Sequence, residues 1–316
     1  HAQRLIARLA PAVVHAHDLF STTTTGIIAR ARSGMAVVVT SHGGGYPGDV
    51  QRLQRKLFGR ARMKLFRRTV DAFVCISSEI DQELANVGVP DARRCFLPNG
   101  VDHARFHPCR KVAKDGLRVR LGLPEGPMAV YCGRLFVGKR VIDLVEVWPR
   151  VRQACPQAKL VIVGDGPEER RLRMAAGEGV TFTGAVDNVA PYLQAADVFC
   201  LPSSHEGLSI SLLEAMSCGL ATVVTDVGGA RDCLQHGVSG WVITPGDREA
   251  LYNGILRFLS DDASREAMGR AARERVHTDY SLSVMATRLA GLYAHVCRTR
   301  AQGAWPLRYT VDKGVA

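Results

Sequence analysis

Short apolar runs alternate with helix-length amphipathic stretches along nearly the whole chain. This alternation is typical of a parallel sheet whose two faces are covered by helices, so we predict an α/β fold. The predicted strands cover residues 12–17, 36–41, 72–77, 94–98, 128–132, 159–163, 180–183, 197–201, 221–225 and 240–244.

The alternation breaks over residues 106–116, where polar residues, glycine and proline replace the apolar periodicity. A break of this kind predicts a linker between two domains. We therefore predict a first domain over residues 1–107 and a second domain over residues 108–280. Residues 281–298 have the pattern of one more amphipathic helix, which needs an apolar surface to cover, and residues 299–316 are predicted to be a tail.

The composition is that of a soluble globular protein: 316 residues, 47% hydrophobic and 22% charged, with no apolar run that approaches a membrane span. Nine cysteines are scattered without a C-x-x-C pair. Their positions in apolar strands favour reduced, buried thiols of a cytoplasmic protein over disulfides or a metal site. The formal net charge of +11 favours partners that carry phosphates, anionic lipids or acidic polymers.

Much of this charge lies in residues 49–69, which we predict to form a basic amphipathic helix. After Asp49 the basic residues follow without an acid: Arg52, Arg55, Lys56, Arg60, Arg62, Lys64, Arg67 and Arg68. The apolar residues recur on one helical face: Leu53, Leu57, Phe58, Ala61 and Leu65. Such a helix either lies on an anionic membrane surface or docks on the sheet, and the two interpretations weigh equally. Nucleic acid is disfavoured because no aromatic residues interleave with the basic ones as a stacking platform.

The most informative stretch is residues 203–219, which follow an apolar strand and lead through a polar turn into a predicted helix. Glu206 lies at the turn and Glu214 inside the helix. The backbone N–H groups of Gly207, Leu208 and Ser209 lie at the helix N-terminus, where phosphate binds readily. Because a carboxylate accepts two hydrogen bonds side by side, the pattern favours a nucleotide-sugar site. A surface acid followed by a solubilising glutamate would give the same sequence.

A glycine-rich stretch over residues 42–49 follows the second predicted strand, at the edge of the sheet where α/β proteins bind ligands. Its spacing matches neither a dinucleotide fingerprint nor a P-loop. His42 could donate to a sugar hydroxyl or move a proton. The alternative is a flexible turn that happens to contain a histidine.

The second predicted domain opens with a strand that ends at Gly133, followed by Arg134 and Lys139. Two fixed cations there can neutralise a departing diphosphate, so we expect no metal and no other cofactor. Gly164, at the end of the next strand, permits close approach of a flat ring or a ribose. The backbone at Val186 can hydrogen-bond the edge of a base.

In order and spacing these motifs resemble a retaining glycosyltransferase of family 4, over roughly residues 10–296. The resemblance is carried by Gly133-Arg134 with Lys139, residues 160–166, Phe182-Thr-Gly184, Ala196-Asp-Val198, Pro202-Ser203, Glu206-Gly-Leu-Ser209, Glu214-Ala-Met216 and Gly237-Val-Ser-Gly240. It implies a GT-B fold, in which two Rossmann-like, doubly wound domains face a cleft. The second domain would hold the donor, the first the acceptor, and residues 281–298 would cross back to the first domain.

The resemblance also implies roles for individual residues. Glu206 would contact the donor sugar, and the amides of residues 207–209 would contact the diphosphate. Glu214 would hold the ribose hydroxyls, while Arg134 and Lys139 would stabilise the leaving group. Gly133 and Gly164 would line the donor site with Val186, which faces the base, and Asn188 beside it would meet the base edge. His42 would lie by the reacting centre.

Two departures from the family pattern affect these expectations. The family usually has glycine after the lysine, whereas Arg140 stands here and makes the local loop conformation uncertain. The chain also begins at His1, within a predicted helix, so the first strand and the glycine-rich loop of the family have no counterpart before Ala12. We therefore expect an incomplete first domain in a fragment that is impaired or inactive, although its parent is an enzyme.

The reaction that the resemblance implies is retaining transfer of a hexose in polysaccharide biosynthesis, from a UDP-sugar or, as the second choice, GDP-mannose. The acceptor would be a hydroxyl of a saccharide or of a lipid-linked acceptor, reached by a cytoplasmic protein peripheral to an anionic membrane. The alternatives are a non-catalytic nucleotide-sugar-binding protein and an epimerase or phosphorylase on the same fold.

Overall fold

The computed structural model describes residues 2–45 and 47–302, and it confirms the α/β class with two parallel sheets. All ten predicted strands are present: β1 Val13–His17, β2 Ala36–Ser41, β3 Ala72–Cys75, β4 Arg94–Phe96, β5 Met128–Cys132, β6 Lys159–Val163, β7 Val180–Gly184, β8 Val198–Leu201, β9 Ala221–Thr225 and β10 Trp241–Ile243. Most of the predicted tail, residues 303–316, lies outside the described residues.

Fourteen α-helices alternate with these strands in the described chain: α1 Ala2–Leu9, α2 Ser21–Ser33, α3 Asp49–Gln54, α4 Gly59–Thr69, α5 Ser78–Asn86, α6 Lys111–Arg120, α7 Val141–Ala154, α8 Glu169–Ala175, α9 Ala190–Ala195, α10 Ile210–Ser217, α11 Ala230–Cys233, α12 Arg248–Ser260, α13 Asp262–Asp279 and α14 Leu282–Ala301. Short 3-10 turns cover Asp91–Arg93 and Val137–Lys139. Among the described helices, none combines the length and the apolar character that a membrane crossing requires.

The chain divides into two compact units, and the first consists of residues 1–99, 206–208 and 283 onward. Its four strands are parallel in the order β1-β2-β3-β4. Every residue of β2 and β3 is buried, which explains why both strands are continuous apolar runs in the sequence. One face of the sheet packs against Met285, Leu292 and Val296 of α14. The last helix therefore covers the sheet that is made first.

The second unit consists of residues 100–205 and 209–282. Its six parallel strands follow the order β10-β9-β8-β5-β6-β7. The chain moves outward from β5 to one side through β6 and β7, and then returns to β5's other side at β8. The point where strand order reverses is the place where doubly wound sheets bind ligands, outside the carboxyl ends of the strands. In this unit, that point lies at the ends of β5 and β8.

The division falls between Asn99 and Gly100, and a helix occupies much of the stretch that the sequence predicts as a linker. Helix α6 is anchored to the second unit because Lys114 and Arg118 donate to the carboxylate of Asp197, at 2.9 and 2.8 Å. These two side chains are the partners of a carboxylate that precedes β8.

The single basic helix predicted over residues 49–69 is wrong, because the structure has two helices, α3 and α4, joined by a tight turn. Leu53, Met63 and Phe66 are buried, so part of the apolar face docks within the unit. Leu57 and Phe58 lie at the turn and are 82% and 73% exposed. The apolar periodicity continues across the turn, although the helix does not.

Candidate functional site

The glycine-rich stretch after β2 is held in place by Asp49, the first residue of α3. The buried Asp49 carboxylate accepts from the Ser41 hydroxyl at 3.1 Å and from the backbone N–H groups of His42 and Gly43 at 2.9 and 3.0 Å. Three hydrogen bonds to one buried carboxylate fix the start of the loop. The conformation at His42 is thus set by its own loop.

A second carboxylate holds the next part of this loop. Glu83, on α5, accepts from the backbone N–H of Gly45 at 2.9 Å. Burial raises the pKa of Glu83 to about 7, and the neighbouring Glu79 carboxylate acts in the same direction. The pattern of apolar and polar positions gives no signal for this contact, because α5 lies more than thirty positions from the loop.

His42 pairs with His17, which ends β1. His17 Nδ1 and His42 Nε2 lie 2.8 Å apart, and the two rings stack with 5.1 Å between their centroids. Burial lowers the pKa of His42, and the adjacent His17 lowers it further, while Asp18 and Asp49 oppose the shift. His42 therefore stays neutral at a pH where an exposed histidine begins to take up a proton.

His15 lies one step behind this pair on β1 and stacks on His17 with 4.7 Å between centroids. Its Nδ1 lies 2.7 Å from the Tyr293 hydroxyl of α14, and its Nε2 lies 2.7 Å from the Thr40 hydroxyl of β2. Burial lowers the pKa of His15 to about 4, and His17 and His42 lower it as well. With both ring nitrogens occupied within the fold, His15 supports the pair in front of it.

Residues 206–208, which include Glu206, pack with the first unit beside His42. A Cβ atom at position 207 would collide with the carbonyl oxygen of His42, so glycine is required for this approach. Asn99 donates to the carbonyl of Leu208 at 3.4 Å. The fold thus brings together His42 and the Glu206-Gly207 segment, two predicted site elements that are more than 160 positions apart.

In the second unit, α10 begins one residue after the last of the three predicted amides. Ser209 caps the helix, and its hydroxyl accepts from the backbone N–H of Leu212 at 3.3 Å. Gly207 and Leu208 precede the helix, so of the three predicted residues only Ser209 belongs to its N-terminus. The side-chain cap arises because a serine stands immediately before the first residue of the helix.

Glu214 lies on α10, partly buried, with Cys132 and Cys218 close to its carboxylate. Burial raises the pKa of Glu214 to about 7, and the positive charge of Arg105 opposes that shift. Glu214 therefore provides a partly buried carboxylate whose charge changes near neutral pH.

Arg105 also contacts Asn188, the residue expected to meet the base edge. The Arg105 guanidinium donates to Asn188 Oδ1 at 2.9 and 3.3 Å, and the backbone N–H of Ala190 donates to the same oxygen at 3.3 Å. The Asn188 oxygen is therefore engaged within the unit, and its NH2 group is the end left to meet a ligand acceptor. Sequence inspection missed Arg105 because it lies in no motif and acts 83 positions away.

The loops that follow β5 and β8 are tied to each other. Ser204 donates from its backbone N–H at 2.8 Å and from its hydroxyl at 3.0 Å to the carbonyl of Gly138. Lys139 follows in the 3-10 turn and is partly buried, whereas Arg134 is exposed at the start of the same loop. The geometry places both predicted cations in the loop after β5, at the switch point of the sheet.

The other predicted residues follow the ends of β5, β6 and β7. Gly133 donates to the carbonyl of Val163 at 3.0 Å, and Gly164 donates to that of Gly184 at 2.9 Å. Val186, two positions beyond β7, is partly buried. These backbone bonds continue the sheet past its named strands and shape its carboxyl edge.

Arg140, which stands where the family resemblance implies glycine, adopts a left-handed backbone with φ 49° and ψ 33°. Its guanidinium is held at 2.7 Å from the nearly inaccessible Asp143 carboxylate, which also accepts from Arg248 at 2.9 Å. Glycine favours this conformation and arginine does not. The loop conformation is thus kept with a non-glycine residue, and an ion pair holds that residue in place.

Within residues 2–45 and 47–302, no three His, Cys, Asp or Glu side chains are grouped in a way that could hold a metal ion.

Comparison with known proteins finds two family matches along the chain. Residues 1–105 match the glycosyltransferase family 4 description, and residues 126–261 match glycosyl transferases group 1. The chain is 30% identical to the sulfoquinovosyl transferase of Arabidopsis thaliana, over 85% of this chain and 54% of that protein. It is 34% identical to the GDP-mannose-dependent alpha-(1-6)-phosphatidylinositol monomannoside mannosyltransferase of Mycobacterium tuberculosis, over 70% of this chain and 60% of that protein. The chain thus spans less than two thirds of the length of these relatives.

Among solved structures, the Anabaena protein HepE in complex with UDP-glucose superposes with a TM-score of 0.80 at 20% identity. The match covers 92% of this chain and 82% of the HepE chain. At this identity the likeness concerns the fold.

Proposed function

The chain belongs to glycosyltransferase family 4, and we propose that it transfers a hexose from a nucleotide-diphosphate sugar to an acceptor hydroxyl with retention of the anomeric configuration. The observation that carries the proposal is the switch point of the second sheet. There, the tied loops after β5 and β8 present Arg134 and Lys139, and α10 presents Glu214 from the segment that follows β8.

In the proposed reaction, the bond between the anomeric carbon and the diphosphate oxygen breaks as a bond to the acceptor oxygen forms on the same face. The departing phosphate oxygen takes the acceptor's proton. Negative charge grows on the diphosphate in the transition state, so Arg134, Lys139 and the N-terminus of α10 stabilise the transition state more than the bound donor. No metal or other cofactor takes part in the reaction as proposed.

The remaining predicted residues have supporting roles in the proposal. Glu206 contacts the donor sugar, and the amides of Gly207, Leu208 and Ser209 contact the diphosphate. Glu214 accepts from the ribose hydroxyls because a carboxylate accepts two hydrogen bonds side by side. Gly133, Gly164 and Val186 line the donor site, and Asn188 meets the base through its NH2 group. His42, kept neutral by burial and by His17, lies by the reacting centre.

For the donor we favour a UDP-sugar and place GDP-mannose second. GDP-mannose is supported by the name of the mycobacterial relative, which is GDP-mannose-dependent. For the acceptor we propose a saccharide or a lipid-linked hydroxyl. That relative's name includes a phosphatidylinositol monomannoside, which supports a lipid-linked acceptor. For this chain we further propose a cytoplasmic protein that binds an anionic membrane surface through the basic residues 52–68.

The test is to titrate the purified chain with UDP, GDP and ADP and then with their sugars, in the presence and absence of chelator. Release of the nucleoside diphosphate, by transfer or by slow hydrolysis of the donor, supports the proposed transferase activity. Tight binding of a nucleotide sugar without any turnover would instead favour a non-catalytic binding protein. Interconversion of the sugar with the nucleotide retained would favour an epimerase.

A further inference from the structure

The turn between α3 and α4 exposes two large apolar side chains. Leu57 is 82% and Phe58 73% exposed, although both belong to the apolar periodicity that buries Leu53 and Met63 on either side of them. Burying an apolar side chain is favourable, so two neighbouring side chains of this size at one projecting turn indicate a surface that meets another apolar phase.

The turn has a fixed shape. The backbone N–H of Lys56 donates to the carbonyl of Leu53 at 3.0 Å. The backbone N–H of Gly59 donates to the carbonyl of Lys56 at 2.8 Å. A Cβ atom at position 59 would collide with the Leu53 carbonyl oxygen, so only glycine permits this chain reversal. Two successive bonds and a required glycine keep Leu57 and Phe58 at the apex.

Phe58 itself has a left-handed backbone, with φ 57° and ψ 17°. This conformation is unfavourable for a bulky side chain, and the exposed ring gains little packing in return. Backbone strain that folding does not compensate is often associated with function. An exposed phenylalanine in this conformation is therefore evidence for a role outside the folded chain.

The apex lies within the most basic segment of the sequence. Residues 50–70 contain eight arginines and lysines and no acidic residue. Arg62 and Arg67 are tied within the unit, to the Thr24 hydroxyl at 2.9 Å and to the Val87 carbonyl at 2.8 Å. The exposed basic residues are Arg52, Arg55, Lys56, Arg60, Lys64 and Arg68.

We propose that the Leu57–Phe58 turn inserts into an anionic bilayer while the exposed cations around it bind the lipid headgroups. This inference rests on the proposed function, because it specifies which residues make the membrane contact of that proposal. An anionic bilayer has negative charge at its surface and hydrocarbon directly below, and the turn has the complementary arrangement of an apolar apex and a basic surround. A nucleic acid would need a series of stacking rings, and the apex offers one.

The arrangement continues along the neighbouring helix. Lys56 lies over the Phe20 ring at 4.4 Å and Arg62 contacts Thr24, so α2 runs beside the turn. Ile28, one helical turn beyond Thr24, is 44% exposed, as is Leu65 on α4. These two side chains are further exposed apolar residues on the two helices that contact each other near the turn.

The experiment is flotation of the purified chain with vesicles of phosphatidylcholine alone and of phosphatidylcholine mixed with phosphatidylglycerol. The apex variant is Leu57→Ser with Phe58→Gly, which removes apolar area and relieves the left-handed strain, so it keeps the fold. The matched control is Val119→Ser with Met174→Ser, which removes two equally exposed apolar side chains, 72% and 78%, from the other unit. A charge variant, Arg60→Gln with Lys64→Gln, tests the basic surround.

We expect salt-sensitive binding to the anionic vesicles, reduced at least about tenfold in the apex variant and unchanged in the control. Each charge removed should weaken binding by about fivefold. Equal flotation of the apex variant and the parent would overturn the proposal, as would binding that ignores lipid charge. Concentration-dependent self-association that only the apex variant lacks would also overturn it, in favour of a protein interface.

The same samples, without vesicles, are assayed for release of UDP or GDP from the corresponding nucleotide sugar. If the parent chain does not float with anionic vesicles but turns over the donor, the membrane inference alone is removed. Flotation of the parent chain without any donor turnover removes the transferase proposal and retains the membrane contact.

Discussion

His17 Nδ1 and His42 Nε2 lie 2.8 Å apart and share a single hydrogen bond between two rings. One of the two nitrogens must be protonated to donate and the other must be unprotonated to accept, so the hydrogen bond is lost when both rings become cationic. This pairing connects the end of β1 to His42, which we propose lies by the reacting centre. It also makes the protonation of His42 depend on a residue that has no motif of its own.

Replacing His17 by Ala should raise the pKa of His42 toward its ordinary value, because His17 is the largest charge that lowers it. The measurement is a ¹³C NMR titration of the histidine ring carbons. His107→Ala, which changes an exposed histidine of the other unit, is the control. An unchanged His42 titration in the His17 variant would contradict the coupling.

Replacing Lys139 by Ala should lower kcat by about a hundredfold to a thousandfold, since a fixed cation at the leaving group acts mainly in the transition state. Lys139→Arg should retain part of the rate. The control is Lys159→Ala, at the start of β6 and hence at the opposite edge of the sheet. Near-normal kcat in the Lys139→Ala variant would refute its role.

Nucleotide affinity should strengthen between about pH 6 and pH 8, because the Glu214 carboxyl, with a pKa of about 7, becomes a charged acceptor as pH rises. Glu214→Gln should bind more weakly and lose this pH dependence. Calorimetric titration with UDP and with GDP measures both effects. The control is Glu178→Gln, whose carboxylate is 85% exposed, and an identical pH dependence in the Glu214 variant would rule out the assignment.

Arg140→Gly should be more stable than Arg140→Ala by about 1 kcal/mol. Both variants lose the ion pair to Asp143, so the difference isolates the left-handed backbone, which glycine adopts without strain. Urea unfolding of the two variants measures it. Equal midpoints would show that the loop relaxes out of the left-handed conformation once arginine is removed.

His15 should make the chain less stable as pH falls from about 6.5 to about 4, because its folded pKa is lowered to about 4 and the unfolded chain binds the proton first. The full difference corresponds to roughly 3 kcal/mol. Glu83 and Glu214 have raised pKa values and act in the opposite sense, losing stability as pH rises toward about 7. The measurement is therefore the difference in pH dependence between the parent chain and His15→Gln, and no difference would contradict the prediction.

The strands could be predicted because parallel strands buried on both faces are continuous apolar runs. Residues 36–41, 128–132, 159–163 and 221–225 have the predicted bounds. The break in the basic helix could not be predicted, since the apolar periodicity persists across it and only the contact between Gly59 and Leu53 reveals it. Helix α6 overlaps the predicted linker because residues 106–116 lack apolar periodicity, and the contacts of Lys114 and Arg118 with Asp197, more than 75 positions away, leave no local signal.

The candidate site likewise contains residues that the sequence predicts and residues that only the structure reveals. Arg134, Lys139 and Glu214 can be proposed from the sequence because site residues of α/β proteins follow strand ends, and strand ends can be predicted from the sequence. Arg105, Asp49 and His17 were missed because their roles come from hydrogen bonds between distant or unmarked positions. Sequence patterns predict where a ligand would bind, and long-range contacts decide how each side chain there is held.

The packing of α14 on the first sheet has a consequence for synthesis. The strands that contribute Val38, Val74 and Cys95 leave the ribosome long before Met285 and Leu292, which cover them. At ordinary elongation rates the interval is roughly ten to forty seconds, during which the whole second unit is made. The nascent sheet therefore has an uncovered apolar face for much of translation, and the first unit to emerge is the last to be completed.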